Sequence, residues 1–222
     1  MVKPRIIETE QGIQEPVTVE VYDQMMRRLR DRGWIETGLV LTTGIDHGAA
    51  LEVGPGPGYV GLEWLKKTTD TTLRALEISP EMIRLAERNA QDYELEERVK
   101  YIQGDAHKMP FDDETFDGVF TNNSLHEWVR PIIILNEIWR VLKSGGRYCI
   151  SDFRRDMNSL MKCFLYIIAK PTEIRSGLTT SINASYTPEE IRPVLESSEL
   201  RGYILKKNII GLTITGQKTG TG

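Results

Sequence analysis

The chain has 222 residues, 40% of them hydrophobic and 27% charged, with a formal net charge of -4. That length holds one large domain, or a domain with an appendage, and buries a sizeable core. An acidic balance with no basic block argues against a large nucleic-acid footprint, and the two cysteines, Cys149 and Cys163, are too few for a disulfide scaffold.

Both cysteines sit in apolar runs and read as buried thiols in a reducing compartment. The start of the chain lacks the apolar run of a signal peptide, and no apolar run reaches membrane-span length. A cytoplasmic protein without stable membrane insertion is expected.

Residues 1–16 carry Pro4, Gly12 and Pro16 as breakers and read as a loosely held arm. Tyr22, Met25, Met26 and Leu29 then recur at helical spacing, and Gly33 ends that helix. Arg27, Arg28, Arg30 and Arg32 fill its other face. Two readings of these arginines stay open: a solvated helix face, or a patch for phosphate or an acidic substrate. Trp34 to Leu41 suggests a second short helix. Residues 1–45 together form an expected N-terminal helical cap, and residues 46–222 the main domain.

Ala49 to Val53 is a buried strand, followed by Gly54, Gly56, Gly58 and Gly61 and a helix from Tyr59 to about Lys67. Thr72 to Ile78 is strand two. Ser79 and Pro80 open a helix whose buried stripe includes Met82. Val99 to Gln103 and Phe116 to Asn122 are strands three and four. Arg130 to Lys143 is a helix stopped by Ser144, Gly145 and Gly146, and Arg147 to Phe153 is strand five. Residues 156–186 read as an insertion: an apolar helix from Ser159 to Ala169, then a polar stretch rich in Ser, Thr and Asn. Thr187 to Glu190 opens a helix with a capping box, and an antiparallel hairpin closes the chain. Alternating strands and helices give an α/β fold with a doubly wound sheet and helices on both faces.

In such sheets ligands sit beyond the carboxyl ends of the strands. Glu52, Glu77 and Asp105 lie at or just past the ends of the first three strands. Glu77 falls about 20 residues after the glycine loop, where a carboxylate accepts both ribose hydroxyls. Asp105 is placed to accept from the exocyclic amine of a nucleobase, and Glu52 favours a cationic amine. The ligand requested is a nucleoside with an adenine, a free ribose and an amino group. No Lys-Ser or Lys-Thr follows the loop, so a phosphate-binding P-loop is not matched.

From Ala49 to Phe153 the chain resembles a class I S-adenosylmethionine-dependent methyltransferase. Leu51-Glu52-Val53-Gly54-Pro55-Gly56-Pro57-Gly58 resembles the family's first motif, and Leu76-Glu77-Ile78-Ser79 its ribose-binding turn. Gln103-Gly104-Asp105-Ala106 resembles the adenine-side motif. Phe116 to Trp128 resembles the fourth strand and its loop, and Val141 to Gly146 the turn into strand five. The resemblance implies a Rossmann-like seven-stranded sheet with an antiparallel last strand, and S-adenosylmethionine as cofactor. It implies that Gly54, Gly56 and Gly58 flank the methionine part while Glu52 holds its amino group. Glu77 would bind the ribose, Ile78 and Met82 pack near the adenine, and Gly104, Asp105 and Ala106 meet its amine. Asn122 and Asn123 would lie under the methionine and sulfonium.

The expected reaction is methyl transfer to a small-molecule acceptor by in-line attack on the sulfonium methyl. Positioning and water exclusion supply most of the acceleration. His126, just after strand four, is the candidate general base if the acceptor must lose a proton; packing against Trp128 or capping the next helix is its other reading. Tyr22 is a candidate lid over the substrate, or a core aromatic. Three scattered histidines make no metal site. The apolar helix of the insertion lines an acceptor pocket, makes a subunit contact or touches a membrane surface, in that order of preference, and either a monomer or a homodimer is compatible. Rival readings are a protein or RNA methyltransferase, a non-catalytic S-adenosylmethionine-binding module and a nicotinamide oxidoreductase. Gly56 to Gly61 matches the dinucleotide pattern of the last, but Asp105 has no role there. Asp105→Ala is expected to weaken S-adenosylmethionine binding by about 1–3 kcal/mol; unchanged affinity in calorimetry removes Asp105 from the site.

Overall fold

The computed structural model describes residues 4–6 and 15–219. Most of the expected arm over residues 1–16 therefore lies outside the described residues.

The apolar runs form parallel strands β1 (Ala49–Val53), β2 (Thr72–Glu77), β3 (Val99–Gln103), β4 (Phe116–Asn122) and β5 (Leu142–Phe153). The terminal hairpin is β6 (Ile204–Lys207) and β7 (Gly211–Gln217), with β7 antiparallel to both β5 and β6. The order is β3-β2-β1-β4-β5-β7-β6, so the seven-stranded mixed sheet expected above is present. The chain winds outward from β1 to β3, then returns to the other side of β1 as β4. The carboxyl ends of β1 and β4 thus open a cleft where the winding reverses, the place such sheets keep for ligands.

Side-chain alternation along β1 decides which helix covers which face. Leu51 and Val53 enter one core with Ile134 and Ile138 of α5 (Pro131–Val141) and Ile191 and Leu195 of α8 (Pro188–Glu196). Ala50 enters the opposite core with Val40 of α2 (Thr37–Thr42) and Leu62, Trp64 and Leu65 of α3 (Tyr59–Lys66). Burial of each such side chain contributes about 1.5–3 kcal/mol. Glu52 shares the face of Ala50, so its carboxylate enters the layer beneath α3. A Cβ at Gly61 would lie 2.3 Å from Glu52 Oε2, which explains the fourth glycine: the first turn of α3 rests on this carboxylate.

Local signals set the helix starts. Ser79 Oγ accepts from Met82 N–H (3.2 Å) to open α4 (Pro80–Asp92). Thr187 and Glu190 complete both halves of a capping box on α8. The first helix, α1 (Pro16–Asp31), is followed by Gly33 at φ +68°.

Three expectations are corrected. The helix before β5 stops at Val141 instead of continuing to Lys143. Leu142 already pairs with Phe116 in the sheet, so Gly145 and Gly146 form an irregularity inside β5 and do not cap a helix. The polar part of the insertion is a helix, α7 (Ile174–Ala184); Ile174, Leu178 and Ile182 recur at i, i+4 and i+8, but poor helix formers surround them. Finally, Cys163 is exposed while Cys149 is buried. Cys163 lies on α6 (Ser159–Ile168), which buries none of its residues. Among the described residues no helix is long and apolar enough to cross a membrane.

Gly58 sits at φ +83° immediately before α3, and a Cβ there would lie 2.5 Å from Tyr101 Oη. Left-handed backbone plus overpacking sets the expected cost of Gly58→Ala at about 2–4 kcal/mol in urea unfolding. A loss below about 0.5 kcal/mol, the usual surface value, would show that the loop relaxes.

Candidate functional site

A cavity of about 270 Å³ opens at the carboxyl ends of β1, β2 and β4. Of the residues expected to hold a cofactor, Glu52, Gly54, Gly56, Glu77, Ile78, Met82, Gly104, Asp105, Ala106, Asn122 and Asn123 line it. Gly58 does not. Its left-handed backbone and its approach to Tyr101 shape the turn into α3, so its part is to aim the loop.

The three carboxylates have different environments. Glu77 accepts from the backbone N–H of Gly56 (3.1 Å) through Oε2 and from those of Ile78 (2.9 Å) and Ser79 (3.0 Å) through Oε1. Burial raises its pKa, and these N–H groups work against that rise. Glu52 is 2% exposed, and its Oε2 has no hydrogen-bond partner among the described residues. Burial first, and then the charge of Glu77, push this carboxyl up to about 8. A backbone hydrogen bond from Gly61 works against that rise, but a buried oxygen left unpaired is costly, and an ammonium group in the cavity that Glu52 lines would offset that cost. Asp105 is more exposed: its Oδ1 accepts from His107 N–H (2.8 Å) and meets His107 Nδ1 (2.7 Å). Partial burial raises its pKa, but those bonds outweigh it and the net shift is downward. With one oxygen engaged and much of the group in solvent, the loss on Asp105→Ala belongs at the lower end of the range above.

Asn122 and Asn123 close the cavity beneath β4. Asn122 Nδ2 donates to Glu36 Oε2 (2.9 Å) and to Ser151 Oγ (3.0 Å). Asn123 takes φ +53°, and its N–H donates to Ser151 O (2.9 Å). Burial raises the pKa of Glu36. Tyr22 packs against Val19, Met82 and Leu85 and also lines the cavity beside the glycine loop. What holds α1 there is Asp23, 1% exposed, which accepts from Tyr59 Oη (2.8 Å), Arg27 Nη2 (2.7 Å) and Asn89 Nδ2 (3.3 Å). Asn89 donates in turn to Pro57 O (2.9 Å) in the glycine loop.

A second cavity of about 450 Å³ lies between α1, α6 and α7 and shares Tyr22, Met26, Asn123 and Glu127 with the first. Met25, Leu29, Leu165, Ile168, Ile174 and Leu178 make it largely apolar. His126 lines this second cavity and not the first. It is 3% exposed, with Nδ1 at 2.9 Å and 3.0 Å from the two carboxylate oxygens of Asp152. The His126 backbone N–H donates to the same group (2.6 Å), and the His126 carbonyl accepts from Arg5 Nη2 (2.8 Å). A carboxylate only accepts, so Nδ1 carries a hydrogen and Nε2 is the basic nitrogen of the neutral ring. Nε2 lies 4.0 Å from Glu127 Oε1. Asp152 follows Ser151, which pairs with Asn122; extending the strand-end rule to β5 finds it, whereas Asp23 and Glu36 carry no comparable signal. Among the described residues no group of three His, Cys, Asp or Glu side chains could hold a metal ion.

Glu52 supplies a test with a definite sign. Its raised pKa means that the folded chain holds this proton more tightly, so the ligand-free protein loses stability as pH rises from about 4.5 to about 8. An ammonium held by Glu52 favours the ionised form, so binding near neutral pH releases a proton. The binding enthalpy of S-adenosylmethionine is then expected to vary with the ionisation enthalpy of the buffer, with affinity rising up to about pH 8. Glu52→Gln abolishes both effects and weakens binding roughly 10- to 100-fold. An enthalpy independent of buffer would remove Glu52 from the ammonium site.

Residues 51–150 match the family model of a methyltransferase domain. A ubiquinone/menaquinone biosynthesis C-methyltransferase, UbiE, of Ruegeria sp. is 31% identical over 103 residues, 46% of this chain and 41% of its own. A demethylmenaquinone methyltransferase of Deinococcus radiodurans is 26% identical over 185 residues, 81% of this chain and 76% of its own. The chain thus spans less than half of the first relative and more of the second. A crystal structure from Methanococcus maripaludis, assigned as an S-adenosyl-L-methionine-dependent methyltransferase, superposes with TM-score 0.76 at 22% identity, covering 99% of both chains. Geranyl diphosphate C-methyltransferase from Streptomyces coelicolor, bound to S-adenosyl-L-homocysteine, gives 0.62 at 12% identity, covering 83% of this chain and 75% of its own. At these identities the structures speak for the fold. Ordered motifs, sheet order, domain match and relatives converge: residues 51–150 are a methyltransferase domain on the class I fold, and its cofactor is S-adenosylmethionine.

Proposed function

We propose that the protein methylates a small, largely apolar molecule that carries an acidic hydroxyl, by in-line attack on the sulfonium methyl. The observation that carries this reading is the second cavity: apolar, joined to the cofactor cavity, and walled by the His126–Asp152 pair. The names of the relatives support the acceptor class, since one is a ubiquinone/menaquinone biosynthesis C-methyltransferase and the other a demethylmenaquinone methyltransferase. A quinol hydroxyl that loses its proton makes the neighbouring ring carbon nucleophilic.

S-adenosylmethionine, when bound, supplies a methyl group already activated by its sulfonium. In this reading Glu52 holds the amino group, Gly54 and Gly56 flank the methionine part, and Glu77 takes the ribose hydroxyls. Ile78 and Met82 pack on the adenine, Gly104, Asp105 and Ala106 border its amine, and Asn122 and Asn123 underlie the sulfonium. Asp152 fixes the tautomer and tilt of His126, so that Nε2 takes the acceptor proton. Glu127, 35% exposed, leads that proton toward solvent. Tyr22 and Met26, shared by the two cavities, exclude water from the line between nucleophile and methyl. Residues 1–45 serve as the cap and residues 156–186 as the acceptor-side insertion on the cofactor-binding unit from residue 46. The absence of a basic block leaves a nucleic-acid acceptor without support.

The test is methyl transfer from labelled S-adenosylmethionine to reduced short-chain quinols, peptides and RNA in parallel. Label in the quinols alone is expected. His126→Gln then lowers kcat by roughly 10²–10⁴-fold, the range for a general base, with KM little changed. Asp152→Asn lowers it as well and shifts the pH profile. Label in peptide or RNA alone overturns the acceptor class, and full activity of His126→Gln removes the base. Cofactor binding without transfer to any acceptor favours a non-catalytic module.

A further inference from the structure

The arginines of α1 separate once their surroundings are seen. Arg27 pairs with Asp23 (2.7 Å) and Arg30 with Asp31 (2.7 Å); neither lines the acceptor cavity. Arg28 and Arg32 do line it, and so does Lys170, just beyond the end of α6. Among the described residues none of these three side chains has an ion-pair partner. Arg32 lies over the Trp34 ring (5.3 Å), which orders the guanidinium and leaves its N–H edge open. The carboxylates of the same cavity are Glu127, where it meets the cofactor cavity, and Glu173.

The charges are distributed along the cavity. At about 1.5 Å of rise per residue, Arg28 and Arg32 stand roughly 9 and 15 Å along α1 from Tyr22, the residue shared by both cavities. The end next to the cofactor carries His126, Glu127 and Asn123. Met25, Leu29 and Leu178 add apolar wall, while Arg28 and Arg32 extend along α1 away from Tyr22, with Lys170 and Glu173 in the segment between α6 and α7. A purely apolar ligand would leave those cations without a function, whereas a carboxylate or phosphate there forms charge-assisted, bidentate hydrogen bonds with the arginines.

We propose that the acceptor is an amphipathic anion. Its methylated end lies at His126, its apolar body is roughly 10–15 Å long, and its remote carboxylate or phosphate is held by Arg28, Arg32 and Lys170. The inference rests on the second cavity being the acceptor site, and it assigns the arginines their specificity role. The probes are dodecanoate, dodecyl phosphate and dodecanol, titrated by calorimetry into protein saturated with S-adenosylhomocysteine. At least one anion is expected to bind one-to-one and at least tenfold tighter than dodecanol; whichever anion wins names the head group. The double variant Arg28→Ala, Arg32→Ala brings the anions to the dodecanol value and leaves dodecanol binding unchanged. Both arginines are exposed and unpaired with acids, so an unchanged melting temperature is expected, and Lys170→Ala gives a second variant with the same direction of effect. Equal binding of all three probes overturns the anionic end and leaves the apolar cavity standing. Binding of none overturns the cavity reading, and the inference with it.

Discussion

Glu77 holds the cofactor site together before any ligand arrives. One buried carboxylate ends β2, receives an N–H from the glycine loop and receives two more from the chain entering α4. Each bond to a charged group contributes about 1.5–3 kcal/mol, and together they tie the glycine loop to the turn between β2 and α4. The position of Gly56 therefore depends on a residue 21 positions later. Glu52 sits beside this well-satisfied group, and its Oε2 has no hydrogen-bond partner among the described residues. Burial of its charged form is costly, and either the proton that it retains up to about pH 8 or a cation in the cavity offsets that cost.

The fold and the residues that line the cavity at the strand ends were legible because they rest on local rules. Apolar runs followed by Gly, Ser-Pro or Gly-Asp marked strand ends, and strand ends in a doubly wound sheet are where ligands bind. Glu52, Glu77 and Asp105 could be read that way from position alone. The helix α7 was not legible, because Ser, Thr and Asn dominate it and three buried or half-buried apolar residues hold it in place through tertiary contact. Cys163 was misread because apolar composition does not say which way a helix faces. Asp23 and Glu36 were out of reach for a different reason: each acts through partners distant in the chain, Tyr59 and Asn89 for the first and Asn122 for the second. Nothing in the local sequence reports such a pairing. The grouping of His126 with Asp152 needed the register of β4 against β5, which places Ser151 beside Asn122.

The two cavities divide the chemistry. The cofactor side is built from backbone turns and carboxylates on the rigid sheet. The second cavity is walled by helices α1, α6 and α7, and α6 buries none of its residues. Stability is concentrated where geometry must be held, and adaptability where a ligand must enter.

One helix belongs to both halves. Asp23 pins α1 to α3, to α4 and, through Asn89, to the glycine loop, while Tyr22 and Met26 of the same helix wall both cavities. Two ligands that share a wall cannot bind independently of its state. If the cofactor orders that wall, it raises acceptor affinity by some factor, and the acceptor must raise cofactor affinity by the same factor. The enzyme would then retain its cofactor most firmly when there is something to methylate, and loosen its hold once the methylated molecule has left.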